Sequence, residues 1–223
     1  MTAAGLSAGR GGETIVPPQD FVLRSGEALV ITGPNGVGKS TLLRTIAGLL
    51  PAMGGRVFVD GARAADGEPA ERVADIAHYL GHRNAMKATM SVGANLAFWQ
   101  RFFGGVTRPV DEALAAVDLG HVVDIPFAYL SAGQQRRAAM ARLIAVERPL
   151  WILDEPTSAL DVASQARFAD LVTAHRAAGG LVIAATHHAL GLEGARTLHL
   201  EREDEPLSEA FSEADLAAAE GWG

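Results

Sequence analysis

The length, composition and charge of the chain limit what it can be. With 223 residues and 48% apolar residues it can bury a sizeable core, and having no cysteine it forms no disulfide or thiolate metal site. A net charge of −7 argues against a nucleic-acid binder, whose binding face is normally basic. No apolar run reaches the roughly 18 residues of a membrane span, and the amino-terminal segment lacks the apolar stretch of a signal peptide. These features predict a soluble protein of cytoplasmic type.

The first predicted elements with a chemical meaning are a short strand, a glycine-rich loop and a helix. Residues 29–31 predict a buried strand, and residues 40–49 predict a helix with an apolar face. Between them lies Gly33-x-x-x-x-Gly38-Lys39-Ser40, the phosphate-binding loop pattern in its strand–loop–helix setting. Glycines let backbone N–H groups point at phosphate oxygens, Lys39 is expected to reach the β- and γ-phosphates, and Ser40 is expected to hold Mg²⁺. The stretch therefore predicts nucleotide binding by Gly33, Pro34, Asn35, Gly36, Val37, Gly38, Lys39, Ser40 and Thr41.

The next informative segment is the turn and helix that begin with LSAGQQRR. Ser131, Gly133 and the start of a helix from about residue 132 to residue 147 predict a second anion-binding element. One face of that helix carries Met140, Leu143 and Ile144, while the other positions include Arg136, Arg137 and Arg142. Because the chain has two phosphate-binding surfaces but one Lys-bearing loop, we expect a head-to-tail dimer in which each turn covers the partner's nucleotide.

Two later strands are predicted to end in residues suited to the same site. The apolar run 150–153 precedes Asp154 and Glu155, and ligands of parallel sheets collect beyond the carboxyl ends of the strands. Asp154 suits the outer coordination sphere of Mg²⁺, and Glu155 suits the polarisation of a water in line with the γ-phosphate. The run 181–185 precedes His187, which can reach the γ-phosphate, and His188, which we expect to be a bystander.

These motifs resemble those of the ATP-binding subunits of ABC transporters. GPNGVGKST resembles the Walker A loop, and LWILDEP resembles Walker B. LSAGQ resembles the signature motif, with Ser131, Ala132, Gly133 and Gln134. SALD resembles the D-loop, which ends at Asp161, and ATHH resembles the segment that carries the switch histidine.

The resemblance implies an α/β P-loop NTPase fold with a RecA-like parallel-sheet core, a small antiparallel β subdomain and a helical subdomain at about residues 84–145, all in one domain over residues 1–223. It implies ATP and Mg²⁺ as cofactors, Glu155 and His187 as catalytic residues, and Ser40 and Asp154 at the metal. The apolar residues Leu96, Phe98, Trp99, Phe102 and Phe103 then belong to the core and coupling face of the helical subdomain.

The chain departs from the family pattern at two places. The family usually has a glutamine where an ungapped reading puts His82, with Arg83 beside it. His82 could still approach Mg²⁺ or the attacking water, and Arg83 is the alternative functional equivalent of the glutamine. The aromatic that normally stacks on adenine is missing before the loop, so Arg10 could stack on the base, or base contacts are weak. Ala132 in place of a glycine leaves the backbone N–H groups of the signature free.

Three longer stretches resemble one subfamily, the ATP-binding subunit of the cytochrome c maturation complex. They are YLGHRNAMKATMSVGANLAFW, LSAGQQRRAAMARL and WILDEPTSALD. The resemblance implies integral membrane partners, a peripheral location on the cytoplasmic face of the bacterial inner membrane, and ATP hydrolysis coupled to haem export or to release of a haem-loaded chaperone. The seven histidines are scattered, so direct haem binding is not predicted. The acidic tail, residues 201–220, is predicted to form a solvated helix.

Two alternatives share the catalytic residues. One is an ABC exporter for another substrate, which differs only in its membrane partner. The other is a soluble ABC protein that acts mechanically on ribosomes or DNA. Such proteins usually carry two cassettes or a long coiled-coil insert, and the negative charge also disfavours that function.

Overall fold

The helices and strands follow an order typical of α/β proteins. The computed structural model describes residues 1–105, 107–186, 190 and 192–201. Within these ranges the elements are β1 (Thr2–Arg10), β2 (Glu13–Val22), β3 (Ala28–Thr32), α1 (Lys39–Ile46), β4 (Gly54–Phe58), β5 (Ala77–Leu80), α2 (Val92–Phe103), α3 (Val110–Ala115), α4 (Ala132–Ala145), β6 (Leu150–Asp154), α5 (Val162–Ala177), β7 (Leu181–Ala185) and β8 (Arg196–His199). None of the helices in this part of the chain is long and apolar enough to cross a membrane.

A parallel five-stranded sheet forms the centre of the fold. Its strand order is β5-β6-β7-β3-β8, and every neighbouring pair runs parallel. All five strands therefore end at the same edge of the sheet. The segments that follow β3, β5 and β6 leave the sheet there, and they carry the predicted phosphate loop, His82 and Glu155. The topology brings the candidate residues to one edge.

The central sheet separates two hydrophobic cores. In β6, Trp151 and Leu153 face one cluster, which includes Phe168 of α5. Leu150 and Ile152 face the other cluster, which includes Leu42 and Leu43 of α1. Alternation of this kind follows from the two-residue period of a strand, and because both faces are covered the strands are apolar throughout.

A smaller antiparallel sheet covers α1 from the other side. Its order is β2-β1-β4, and its inner residues, among them Leu6, Ala8 and Val16, belong to the same cluster as Leu42 and Leu43. The strands β1 and β2 form a hairpin joined at Gly11 and Gly12, both of which have positive φ. The sheet therefore presents β2 to the loop between β3 and α1.

Three helices, α2, α3 and α4, pack against each other between residues 92 and 145. Their shared core includes Val92, Leu96, Leu114, Met140 and Leu143. The start of α2 is capped by Ser91, whose hydroxyl accepts a hydrogen bond from the Ala94 N–H. The helices lie inside the range predicted for the helical subdomain.

Two predicted helix ends were wrong by two or three residues. The first helix ends at Ile46 and not at residue 49, because Gly48 adopts a φ of 72° and the Leu49 N–H bonds back to the Arg44 carbonyl. The signature helix ends at Ala145 and not at residue 147, because Val146 is already extended. The acidic tail beyond residue 201 lies outside the described residues.

Candidate nucleotide-binding site

The loop between β3 and α1 has the geometry of a phosphate cradle. Gly33, Gly36 and Gly38 have φ values of 136°, 84° and 108°, which only glycine adopts without strain. At Gly38 a Cβ would lie 2.5 Å from Val16 Cγ2, so the close approach of β2 also requires glycine there. The nine predicted nucleotide-binding residues form this continuous loop and the first turn of α1: Gly33, Pro34, Asn35, Gly36, Val37, Gly38, Lys39, Ser40 and Thr41.

Lys39 lies across the loop. Its Nζ donates hydrogen bonds to the carbonyl oxygens of Gly33, at 2.7 Å, and of Pro34, at 2.9 Å. The residue is 9% exposed, while Pro34 and Asn35 form the exposed rim. The ammonium group is therefore held over the backbone amides of the loop, where a bound phosphate needs a cation.

The two oxygen donors predicted for the metal lie together. Ser40 Oγ donates a hydrogen bond to Asp154 Oδ1 at 2.9 Å, and Asp154 is 1% exposed at the end of β6. Hydroxyl and carboxylate oxygens suit Mg²⁺, which commonly takes one or two protein ligands together with substrate phosphates. The described residues contain no group of three or more His, Cys, Asp or Glu that could hold an ion alone. The pair therefore fits a Mg²⁺ ion that binds together with nucleotide.

The sequence did not reveal that Tyr79 joins this pair. Its hydroxyl donates to Asp154 Oδ2 at 3.1 Å and accepts from Arg44 Nε at 3.3 Å. Burial raises the pKa of the Tyr79 hydroxyl to about 12, so the group keeps its proton at neutral pH and acts as the donor to the carboxylate. In the sequence, the only indication of this contact is that Tyr79 carries a hydroxyl near the end of the strand that precedes His82.

Glu155 has an unusual backbone conformation. Its φ is 46°, in the left-handed region, which costs a non-glycine residue roughly 1–2 kcal/mol. Its N–H donates to the Ala185 carbonyl at 2.9 Å, so the turn after β6 is tied to the end of β7. Strain of this kind persists where surrounding contacts hold it, and it is frequent at functional sites.

Arg136 supplies many of the contacts that hold Glu155, although its sequence position indicates only that it lies off the apolar face of the helix. The side chain is 3% exposed. Nε donates to the Pro156 carbonyl at 2.7 Å, Nη1 to Gly81 at 2.6 Å and Nη2 to Glu155 at 2.8 Å. Burial lowers the pKa of Arg136 to about 10, so the group remains charged at neutral pH. One guanidinium thus joins α4 to the segments that follow β5 and β6.

The signature residues form the first turn of α4. Ser131 is the N-cap, and its hydroxyl accepts from the Gln134 N–H at 3.3 Å, while the Gln134 side chain accepts from the Ser131 N–H at 2.9 Å. Ser131 and Ala132 are exposed. A Cβ on Gly133 would lie 3.2 Å from the Ala159 carbonyl, so the turn lies against the D-loop of its own chain. The start of the helix is exposed, and its positive dipole end suits an anion.

Asp161 has a structural role in the same loop. It is the N-cap of α5, and its Oδ1 accepts from the Ser164 N–H at 2.7 Å. This hydrogen bond lowers the pKa of the Asp161 carboxyl. The cap fixes where the D-loop ends and α5 begins.

Four predicted residues remain: His82, Arg83, Arg10 and His187. His82 and Arg83 are both exposed after β5, so the choice between them stays a prediction. Arg10 is exposed at the end of β1, while Phe21, the sole aromatic in β1 and β2, is buried. His187 lies outside the described residues, as does His188.

A groove of about 900 Å³ separates the sheet from the helical region. Its walls include Tyr79 of β5 and the aromatic side chains of Trp99, Phe102 and Phe103 of α2. Phe102 is 65% exposed. Arg142 lies with its Cζ 4.5 Å from the centre of the Trp99 ring, a cation–π contact that extends the aromatic wall.

Comparison with known proteins identifies the family. The family model described as "ABC transporter" matches residues 17–158. The chain is 52% identical, over 90% of its length and 97% of the relative, to "Cytochrome c biogenesis ATP-binding export protein CcmA" of Rhizobium meliloti (strain 1021). It is 53% identical to the protein of the same name from Mesorhizobium japonicum, over 87% of this chain and 95% of that one.

Solved structures share the fold at much lower identity. The "Putative ABC transporter (ATP-binding protein) from Pyrococcus furiosus" is 21% identical with a TM-score of 0.72, over 89% of this chain and 96% of that one. The "Dimeric structure of a post-hydrolysis state of the ATP-binding cassette MJ0796 bound to ADP and Pi" is 22% identical with a TM-score of 0.74, over 90% and 94%. These similarities confirm the predicted fold class. The chain belongs to the ABC transporter family of ATP-binding proteins and, within it, to the cytochrome c biogenesis ATP-binding export proteins.

Proposed function

We propose that this chain is the ATP-hydrolysing subunit of a membrane complex for cytochrome c maturation, coupling hydrolysis to haem export or to release of a haem-loaded chaperone. The observation that carries the hydrolytic part is the hydrogen bond from Ser40 to Asp154, with Glu155 immediately after. The two relatives at about half identity, both named for cytochrome c biogenesis and export, support the pathway.

The chemistry divides among a few side chains. Lys39 and the loop amides bind the β- and γ-phosphates and neutralise their charge. Ser40 and Asp154 would hold Mg²⁺, and the ion would supply positive charge that offsets the charge developing on the phosphates. Glu155 would orient and polarise the attacking water, and the resemblance of its motif to the switch histidine assigns His187 a role at the γ-phosphate. Positioning and electrostatic stabilisation then account for most of the catalysis.

The proposed active unit contains two copies of the chain. The exposed signature turn, with Ser131 and Gly133 at the start of α4, is a surface for an anion that its own chain does not need. A head-to-tail pair would place that turn over the γ-phosphate bound to the partner's loop. The structure of the cassette MJ0796 is dimeric, which supports a pair of chains here.

The hydrolytic function is tested with two variants. Lys39→Ala removes the cation over the loop, so labelled ATP should bind much more weakly. Glu155→Gln keeps the shape of the side chain but removes its charge, so ATP should bind while hydrolysis is lost and the dimer accumulates on size exclusion with ATP and Mg²⁺. Unchanged affinity in the first variant, or full hydrolysis in the second, would contradict the assignment.

The membrane partner is proposed to dock in the groove beside α2, which would place the chain on the cytoplasmic face of the inner membrane. The groove combines an apolar aromatic wall with the buried cations Arg142 and Arg148, whose Nε atoms have no hydrogen-bond partner among the described residues. Such a surface suits an apolar helix carrying a carboxylate.

The docking test uses the exposed Phe102. Phe102→Asp should abolish co-purification of integral subunits from membranes and leave ATP binding intact. The matched variant Val162→Asp, at an exposed residue on α5, should retain them. Mass spectrometry of the co-purified subunits distinguishes a cytochrome c maturation complex from an exporter of another substrate.

A further inference from the structure

Two hydroxyl groups hold the buried Asp154 carboxylate from opposite sides. Ser40 Oγ donates to Oδ1 at 2.9 Å, and Tyr79 Oη donates to Oδ2 at 3.1 Å. Both carboxylate oxygens are therefore engaged, and the orientation of the group depends on both donors. Ser40 directly follows the phosphate loop, whereas the proposed function assigns no role to Tyr79.

The sheet register explains how Tyr79 reaches this position. In the parallel pair of β5 and β6, Tyr79 lies beside Ile152. Asp154 is two residues beyond Ile152 and so shares its face of the sheet, the face that α1 covers. On α1, Ser40 and Arg44 are four residues apart and lie on the same side of the helix. These four side chains therefore form one chain of hydrogen bonds between the helix and the two strands, from Arg44 through Tyr79 and Asp154 to Ser40.

Arg44 makes the position of the Tyr79 hydroxyl significant. Its Nε donates to Tyr79 Oη at 3.3 Å, so the hydroxyl lies between a guanidinium and the Asp154 carboxylate. A cation this close attracts the carboxylate, and a direct ion pair with Arg44 would compete with Mg²⁺ for its oxygens. The hydroxyl separates the two charges and gives each of them one hydrogen bond.

We propose that Tyr79 is a positioning residue for the metal: it keeps Asp154 beside Ser40 and prevents Arg44 from pairing with the carboxylate. This inference rests on the proposed ATPase function. A positioning role differs from a packing role because it predicts weaker binding of the divalent ion without a change in the binding of the nucleotide alone. Removing the Tyr79 hydroxyl should weaken binding of the divalent cation, and replacing Arg44 as well should restore part of the lost affinity.

The test measures divalent-ion binding directly, with Mn²⁺ as the probe. Free Mn²⁺ is followed by electron paramagnetic resonance in the presence of protein and a non-hydrolysable ATP analogue, and the Mn²⁺ bound by the same concentration of analogue without protein is subtracted. For Tyr79→Phe we expect the half-saturating Mn²⁺ concentration to rise about tenfold, the effect of losing one hydrogen bond to a charged group. Analogue binding in EDTA should stay at the wild-type value, and the melting temperature should remain close to it.

Two further variants make the result specific. Tyr129→Phe removes the same atom from the other tyrosine of the chain, which is 81% exposed, and should leave Mn²⁺ binding unchanged. Tyr79→Phe combined with Arg44→Gln should recover several-fold of the lost Mn²⁺ affinity. Unchanged Mn²⁺ binding in Tyr79→Phe would overturn the proposal, and so would an equal loss of analogue binding in EDTA or no recovery in the double variant. If the wild-type protein itself bound no Mn²⁺ with the analogue, the proposed ATPase function would fail instead.

Discussion

Arg136 Nη2 donates a hydrogen bond to the carbonyl oxygen of Glu155 at 2.8 Å, which ties the signature helix to the residue proposed to activate water. The same guanidinium also binds the carbonyls of Gly81 and Pro156. Since Glu155 is held in the left-handed region, its side-chain direction depends on these contacts. We therefore expect Arg136 to affect catalysis through the position of Glu155.

Replacing Arg136 by lysine should slow hydrolysis more than it weakens binding. Arg136→Lys keeps the charge but cannot donate in three directions from a planar fork. We expect kcat to fall roughly tenfold to a hundredfold, as a small displacement of a catalytic group can do, with ATP affinity little changed. Steady-state hydrolysis and equilibrium ATP binding measure the two quantities.

Arg148→Lys is the matched control, since Arg148 is also buried and also donates to a backbone carbonyl, that of Ala74. It should lower thermal stability to a similar degree and leave kcat near wild type. A similar fall of kcat in both variants would mean that Arg136 acts only through stability.

Features that depend on residues close together in the sequence could be predicted, and features that depend on distant residues could not. Lys39 and Ser40 could be proposed as phosphate and metal ligands from the sequence because the pattern of strand, glycines and helix is contained in about a dozen neighbouring residues. The resemblance of the same local motifs to those of ABC ATPases implied the parallel-sheet core, which the structure has.

Arg136 and Tyr79 were missed because their contacts are long-range. Arg136 bonds to residues 20 and 55 positions away, and Tyr79 to one 75 positions away. A polar residue on a helix or strand normally faces water, so its burial can be recognised only once the strands and helices are assembled. The strained backbone of Glu155 has no local sequence signal either.

The segment after β5 should contain one residue that couples the partner to hydrolysis. If His82 replaces the usual glutamine, His82→Ala slows hydrolysis and reduces stimulation by the membrane partner, with little change in ATP affinity. If Arg83 has that role, the same defect follows Arg83→Ala. ATPase assays with and without the integral subunits decide between them, and full stimulation in both variants would remove this segment from the mechanism.

The buried His78 should make folding stability depend on pH. Its Nε2 donates to the Val146 carbonyl at 2.7 Å, and burial, with a smaller contribution from the Arg142 charge, lowers its pKa to about 3. Between pH 6.5 and 3 the unfolded chain binds a proton that the folded chain does not, so stability falls as the pH falls through this window. One such proton contributes about 1.4 kcal/mol per pH unit.

His78→Gln retains a donor for Val146 but does not titrate, so urea unfolding at several pH values should give a shallower slope below pH 6.5. His175, whose pKa burial also lowers, keeps its own contribution in the same direction. A slope identical to wild type would show that His78 does not titrate on unfolding.

The central claim is that each nucleotide lies between the phosphate loop of one chain and the signature turn of another. A disulfide between Asn35→Cys in one chain and Ser131→Cys in another tests it most directly. Both residues are exposed, and the protein has no cysteine of its own. The two single-cysteine variants, each also carrying Glu155→Gln, are mixed, oxidised with and without ATP and Mg²⁺, and separated on a non-reducing gel. The account predicts a covalent dimer that requires ATP and appears only in the mixture; no ATP-dependent dimer, or a double-cysteine chain that crosslinks only within itself, would contradict it.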